Sequence, residues 1–294
     1  MKYIVQLSDI DLIEPLIDRG VEAITIGYKD FSSGAVIESN DQMLETVCKQ
    51  VDHRMKIYVL MNQLYHQDRI SALKEALIQL NTLKIDGLFF QDFGLLNLFQ
   101  ENHLNFSMIY APDTLNTNHQ TLNTLSTLGI DGFFLSGQLH LDEVEAIVSK
   151  TKAPCIVPVH GVQYISYSKR KLLTNYFDQI NKPQPVGYKE HLVMKVNNKD
   201  EYSYIYEDHS GTHVYTTNEL CTLGMNMSGD YGYIETLYLD KDYVLDVIDH
   251  YLRQDSYDAF VSSHPDHHYD RGFLEDGTVY KIEDVRKREE NEKR

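Results

Sequence analysis

Short apolar runs alternate with amphipathic segments along the first 160 residues, and this rhythm constrains the fold more than any other feature. The runs are YIVQL (3–7), EAITIG (22–27), KIYVLMN (56–62), GLFFQD (87–92), FSMIY (106–110), GFFLSG (132–137) and APCIVPVHG (153–161). The segment DRISALKEALIQLNTLK places Ile70, Leu73, Leu77, Leu80 and Leu83 on one helical face. DIDLIEPLIDRG reads as a helix stopped by Gly20, and LDEVEAIVSKT as another helix. Strands that are apolar throughout and alternate with helices belong to a parallel sheet covered on both faces.

Seven such units in a row favour a closed barrel over an open sheet. An eighth follows later, as GYIETLYL and the helical KDYVLDVIDHYLRQ. The predicted class is therefore α/β, a TIM-type (β/α)8 barrel with an insertion after strand seven. Residues 1–161 hold the first seven units, 162–230 the insertion, 231–254 the last unit and 255–294 a C-terminal extension ending in the charged run DVRKREENEKR. The insertion contains a predicted β-hairpin, EYSYIYEDHSGTHVYTT, turning at Ser-Gly.

Of 294 residues, 44 are acidic and 27 basic, for a net charge of −17. Such a surface repels phosphate backbones, so the chain does not read as a nucleic-acid binder in its own right. No run reaches the roughly 18 apolar residues of a membrane span. The N-terminus MKYIVQLSDIDL lacks the apolar core and cleavage site of a signal peptide, so a cytoplasmic location is expected. Cys48, Cys155 and Cys221 stand far apart without CxxC spacing, which excludes a disulfide framework.

Chemistry in a (β/α)8 barrel gathers at the C-terminal strand ends. These ends carry Gly27, Asn62, Gln91 and Asp92, the loop APDTLNTN with Asn116, Ser136–Gly137, His160–Gly161 and Glu235. His160 suits a general acid or base, or equally a hydrogen-bonded rim histidine. Glu235 and Asp92 suit paired acid–base work, or simple ring-filling. Glu207, Asp208 and His209 read as a solvated hairpin turn. His264, Asp266, His267 and His268 in SHPDHHYD offer ligands to a divalent ion, but they lack H-E-x-x-H spacing and their proline marks a loop, so no metal ligand is assigned.

The stretch VHGVQYISYSKRKLLTNYF (159–177) is too polar for a core and too ordered in composition for a linker. It resembles the signature of the collagenase-like peptidases, peptidase family thirty-two of unknown catalytic type, whose usual form is close to HGALCVSYSGRCLLSNY. The resemblance extends to FFQDFG, YVLMNQLYH, YEDHSGTHVYTTNELC, YIETLYLDKDYVLDVI and RGFLEDG, and so covers essentially the whole chain. It implies His160, Ser166, Tyr167, Ser168, Arg170 and Asn175 as the motif's frame. His160, Ser166, Tyr167, Arg170 and Glu235 become the catalytic candidates, and Asn62, Gln91, Asp92, Asn116 and Asn175 the substrate-binding candidates. Arg170 suits a carboxylate or phosphate, or an internal ion pair. Ser166 with His160 suggests a hydrolase, but nothing fixes a third partner.

The resemblance also implies chemistry beyond the family name. Its better-understood members resemble oxygen-independent hydroxylation proteins acting on tRNA wobble uridine, ribosomal RNA or a ubiquinone precursor. They often carry a four-cysteine iron–sulfur cluster, use prephenate as a donor and work as paralogous pairs. Here Tyr164 and Lys171 stand at the first two cluster positions, residues 156–220 hold no cysteine, and Cys221 alone occupies a ligand position. The family's Gly-Arg after strand eight is Thr236–Leu237. The expectation is a chain that binds no cluster, paired with a cysteine-bearing paralogue and forming 5-hydroxyuridine through the complex. The alternatives are a peptidase and a barrel that only binds a small anion or a protein.

Overall fold

The computed structural model describes residues 1–195 and 202–275. The charged tail and the end of the 255–294 extension lie outside the described residues. The strands are β1 (Lys2–Gln6), β2 (Ala23–Tyr28), β3 (Glu38–Ser39), β4 (Lys56–Met61), β5 (Gly87–Phe90), β6 (Ser107–Tyr110), β7 (Gly132–Phe134), β8 (Cys155–Ser168), β9 (Val193–Lys195), β10 (Tyr202–Glu207), β11 (Thr212–Cys221), β12 (Tyr231–Ile234) and β13 (Tyr269–Asp270). The α-helices are α1 (Ile13–Asp18), α2 (Asp41–Val51), α3 (Ile70–Thr82), α4 (Phe93–Glu101), α5 (His119–Ser126), α6 (Leu141–Val148), α7 (Leu172–Gln179), α8 (Lys241–Arg253) and α9 (Tyr257–Ser263).

Eight strands close a parallel barrel in the order β1, β2, β4, β5, β6, β7, β8, β12, with β12 pairing back to β1. This is the predicted TIM-type (β/α)8 fold. Strand alternation sorts the side chains. Ile4, Tyr58, Leu60, Phe89, Ile109, Ile156 and Tyr233 fill the interior. Val5, Ile24, Val59, Leu88, Met108 and Val157 face outward into the helix layer. The stripe predicted over 68–84 forms α3, which buries Leu73, Ala76, Leu77 and Leu80. Asn40, Asn118 and Asp240 cap α2, α5 and α8 through backbone N–H groups, which satisfies donors that helix starts leave open. Among the described residues no helix is long and apolar enough to cross a membrane.

The insertion grows out of the barrel itself. β8 does not stop at the barrel rim but runs on to Ser168, where β11 joins it antiparallel with Cys221 opposite His160 and Thr212 opposite Ser168. β10 pairs with β11 as the predicted hairpin, and β9 adds beyond it. Two irregularities let one strand serve both sheets. The β8–β12 register slips by one residue between Pro158 and His160, which marks a β-bulge at Val159. Gly161 follows with φ of 100°, and a Cβ there would stand 2.3 Å from the Glu235 carbonyl oxygen. Only glycine fits both the conformation and the space. Gly161→Ala should therefore destabilise the fold by at least ~2 kcal/mol, measurable as a lower urea midpoint.

Candidate active site at the barrel mouth

A cavity of about 170 Å³ opens at the C-terminal ends of the strands. Its floor is aromatic: Phe134 and Tyr233 meet edge to face at 5.1 Å, with Phe89 6.2 Å from Tyr233. Tyr233 is held by a 2.9 Å hydrogen bond between its hydroxyl and Thr25 Oγ1. Tyr164 and Tyr215, from the extended β8–β11 sheet, form a wall. Amides from Gln6, Gln138 and Gln163 reach the same space. Glycine lets the opposite wall close in, since a Cβ on Gly34 would stand 2.5 Å from the Tyr215 hydroxyl.

Two carboxyl groups define its chemistry. Glu235 follows β12, and its Oε1 accepts from the backbone N–H of Thr236 (2.9 Å) and Leu237 (3.0 Å). Gln6 Nε2 donates to its Oε2 at 3.3 Å. Burial pushes the Glu235 carboxyl up to about 7, against the two backbone donors, and the Asp113 charge adds to the rise. Asp113 lies in the loop after β6 with φ of 54°, a left-handed conformation uncommon outside glycine. Burial raises it to about 7 as well. Two carboxyls poised near neutrality in one apolar-walled pocket can give and take protons at physiological pH. No Lys or Arg lines the cavity among the described residues.

The structure brings Asn62 and Glu235 to this pocket and distributes the other candidates elsewhere. Asn62 forms a reciprocal pair with the Ser33 backbone, accepting from its N–H at 2.9 Å and donating to its carbonyl at 3.0 Å. Gln91 donates to the Asn62 carbonyl. Asp92 caps α4 through Gly94 N–H and also accepts from Tyr65 N–H, both at 2.8 Å, so Asp113 rather than Asp92 shares the pocket with Glu235. Asn116 is buried and donates to the Tyr110 and Phe134 carbonyls. Ser166 is exposed opposite Val214. Tyr167 donates to the Ser210 carbonyl at 2.6 Å and stacks on His213. Arg170 and Asn175 are exposed at the start and within α7.

His160 takes the most unexpected place. The bulge turns it out of the barrel into the layer under α8 and α9, at 0% exposure. Rings of Tyr243, Tyr251, Phe260 and Tyr269 surround it at 5.7–6.3 Å between centroids. Its Nε2 stands 3.2 Å from Glu219 Oε2. Glu219 also receives Tyr243 O–H at 2.8 Å and meets His267 Nδ1 at 2.7 Å. Burial lowers the His160 imidazole below its usual range, with Glu219 opposing. Burial would raise Glu219, but contacts with His160, His267 and Tyr243 hold it down. Ser166 and His160 are thus not assembled as a nucleophile and base.

Of the three residues expected in a solvated hairpin turn, His209 is exposed and the two carboxylates are not. Glu207 is buried and caps α7, accepting from Leu173 N–H at 3.0 Å and Thr174 N–H at 3.3 Å. This supplies negative charge at a helix start whose own preceding residue, Lys171, makes no side-chain cap. Asp208 accepts from Ser210 N–H at 2.8 Å and pairs with His213 Nε2 at 3.0 Å. The His213 ring that pairs with Asp208 is itself stacked between Tyr206 and Tyr167.

An iron–sulfur cluster does not fit the donors present. Cys48 lies on α2, Cys155 inside β8 and Cys221 at the end of β11, and the three do not converge. Burial pushes the Cys48 and Cys155 thiols up to about 11 and raises Cys221, which favours thiol over the thiolate a cluster needs. Tyr164 lines the barrel cavity and Lys171 is exposed, donating to the Asp208 carbonyl.

Fold and site define a (β/α)8 protein with a carboxylate-bearing pocket at its mouth and a sheet extension as one wall. Residues 8–276 match peptidase family U32, and the chain belongs to that family. It is similar to tRNA hydroxylation protein P2 of Bacillus subtilis, 26% identical over 217 residues, which are 72% of this chain and 70% of that protein. It is also similar to tRNA hydroxylation protein P of Haemophilus influenzae, 30% identical over 133 residues, 44% of this chain but only 28% of that protein. Among solved structures, the U32 peptidase Mk0906 is 13% identical, with a TM-score of 0.49 over 80% of this chain and 92% of that one.

Two outcomes follow from this geometry. His160→Ala should cost roughly 2–4 kcal/mol of folding stability, because it opens a cavity among four rings and removes a partner of buried Glu219. Urea unfolding reads this directly. Glu235 and Asp113 are raised in the folded state, so the native protein holds more protons than the unfolded chain between about pH 4.5 and 7. Their contribution to stability therefore falls as pH rises through that window. Asp113→Asn/Glu235→Gln should gain about 2 kcal/mol or more on the wild type between pH 5 and pH 8. Parallel stability curves would show both groups already ionised in the native pocket.

Proposed function

We propose that this chain is an accessory, substrate-shaping subunit in tRNA wobble-uridine hydroxylation, working with a cysteine-bearing paralogue. The pocket carries this reading. Its aromatic floor, amide groups and carboxyls of near-neutral pKa suit one uncharged, flat base taken out of its stack. Relatives named tRNA hydroxylation proteins P and P2 support the same reaction class.

In this scheme Glu235, Asp113 and the glutamines orient the pyrimidine edge, and the proton on either carboxyl stabilises charge developing on the base. The cluster and its electron chemistry belong to the partner. A carboxylate donor such as prephenate is assigned to the partner too, because the described lining offers it no cation. The partner surface is assigned to α7, none of whose residues is buried. Leu172 and Tyr176 on α7 and Ile180 just past its end recur every four residues and are 45%, 55% and 41% exposed. Exposed apolar rows of this kind mark contact surfaces. Lys169, Arg170 and Lys171 stand just before them, exposed on an otherwise acidic chain.

Nucleoside mass spectrometry of tRNA tests the reading. Deleting the gene under low oxygen should lower 5-hydroxyuridine derivatives, wild-type protein should restore them, and Asp113→Asn/Glu235→Gln should not. Unchanged nucleosides in the deletion strain, with a fall on deleting a paralogue, would overturn it. Tyr176→Glu should abolish co-purification with the paralogue while leaving the melting temperature within about 2 °C of wild type, since exposed sites carry little stability.

A further inference from the structure

We propose that Asp246, His250 and His264 form a site for a divalent first-row transition-metal ion of the zinc class, where α9 folds back on α8. Asp246 and His250 lie one turn apart on the same face of α8. His264 follows the last residue of α9. One ligand atom from each residue lies within 4.8 Å of the other two, and no other group of three potential ligands converges this way among the described residues. His264 Nε2 is 2.7 Å and His250 Nε2 3.7 Å from the same oxygen, Asp246 Oδ2. Tetrahedral zinc with bonds of roughly 2.0–2.2 Å separates its ligands by about 3.4 Å, a value these two distances bracket.

The surroundings of the two imidazoles are those of ligands. His250 Nδ1 stands 2.7 Å from Asp255 Oδ2. His264 Nδ1 stands 3.0 Å from the Phe260 carbonyl and 3.0 Å from Ser263 Oγ. The Phe260 carbonyl fixes the His264 proton at Nδ1 and leaves its Nε2 lone pair facing Asp246, while His250 Nδ1 lies against Asp255 without a hydrogen bond and its Nε2 turns to the same Asp246 oxygen. A plain ion pair between Asp246 and His264 does not account for His250, whose Nε2 turns to the same carboxylate while its Nδ1 already has Asp255. Both histidine side chains are 13% exposed and Asp246 is 48% exposed, so an ion can enter and keep a solvent ligand. Two nitrogens and one carboxylate suit zinc, cobalt or nickel better than magnesium or calcium. Of the histidine-rich SHPDHHYD segment only His264 takes part, since His267 is bound to Glu219.

Calorimetry with zinc chloride on the tag-free, chelator-treated full chain tests the site. One equivalent should bind saturably, and cobalt(II) should give visible d–d bands that zinc abolishes. Asp246→Asn and His264→Gln, checked for folding by circular dichroism, should each weaken binding by at least about 100-fold. Asp255→Asn should weaken it by about 10-fold, as loss of an orienting partner does. His66→Ala, exposed and outside the cluster, should change nothing. Substoichiometric binding to the wild type would overturn the proposal. So would a His250→Gln/His264→Gln double variant that binds within 10-fold of the wild type.

Discussion

Strand β8 is the piece on which the rest of the molecule depends. It closes the barrel against β7 and β12, then continues past the rim as the founding strand of the β9–β11 sheet. One strand does both because a bulge at Val159 and the positive φ of Gly161 bend it where the two sheets meet. The bend sets the pocket wall: Val162, Gln163 and Tyr164, which follow it, line the cavity. It also sets the outer core. The same bulge delivers His160 to Glu219 and to the aromatic layer beneath α8 and α9.

This arrangement divides the polar groups of the molecule into two kinds. Beneath α8 and α9, Tyr243 and His267 satisfy the Glu219 carboxylate, which is how such a group endures inside a protein, while His160 stands within ion-pair distance of it without a hydrogen bond of its own. At the mouth, Glu235 and Asp113 are left with unsatisfied capacity and raised pKa values, facing open space. Groups of the second kind are the ones available to a ligand. The motif from 159 to 177 therefore contributes mainly through shape. It carries the shared strand, the tyrosines that wall the pocket, and the exposed row on α7.

The βα rhythm made the barrel legible, because a strand buried on both faces must be apolar along its length and a covering helix must be apolar on one stripe. Leu73, Leu77 and Leu80 pack as that stripe demands. Glu235 and Asn62 were legible as strand-end residues. Asp113 was present in the APDTLNTN loop, but nothing local distinguishes it from Asp92, which instead caps α4. His160 was misplaced for a definite reason. Ile156 and Pro158 face the barrel interior, and plain alternation sends His160 the same way. A single extra residue in the ladder reverses that, and although Pro158 and Gly161 are residue types that accompany bulges, they do not tell which residue is the extra one.

The sequence by itself determined the class of fold, the run of eight strands and the hairpin, which follow from periodicity, and its three cysteines fall one short of a four-thiolate ligand set. Only the tertiary structure decided which polar residues share a space. Asp113 and Glu235 line one cavity, Glu207 reaches the start of α7, and His264 meets Asp246 and His250 across two helices. These partners are set by strand register and helix docking, which sum many weak packing terms over the whole chain, and so no short stretch encodes them.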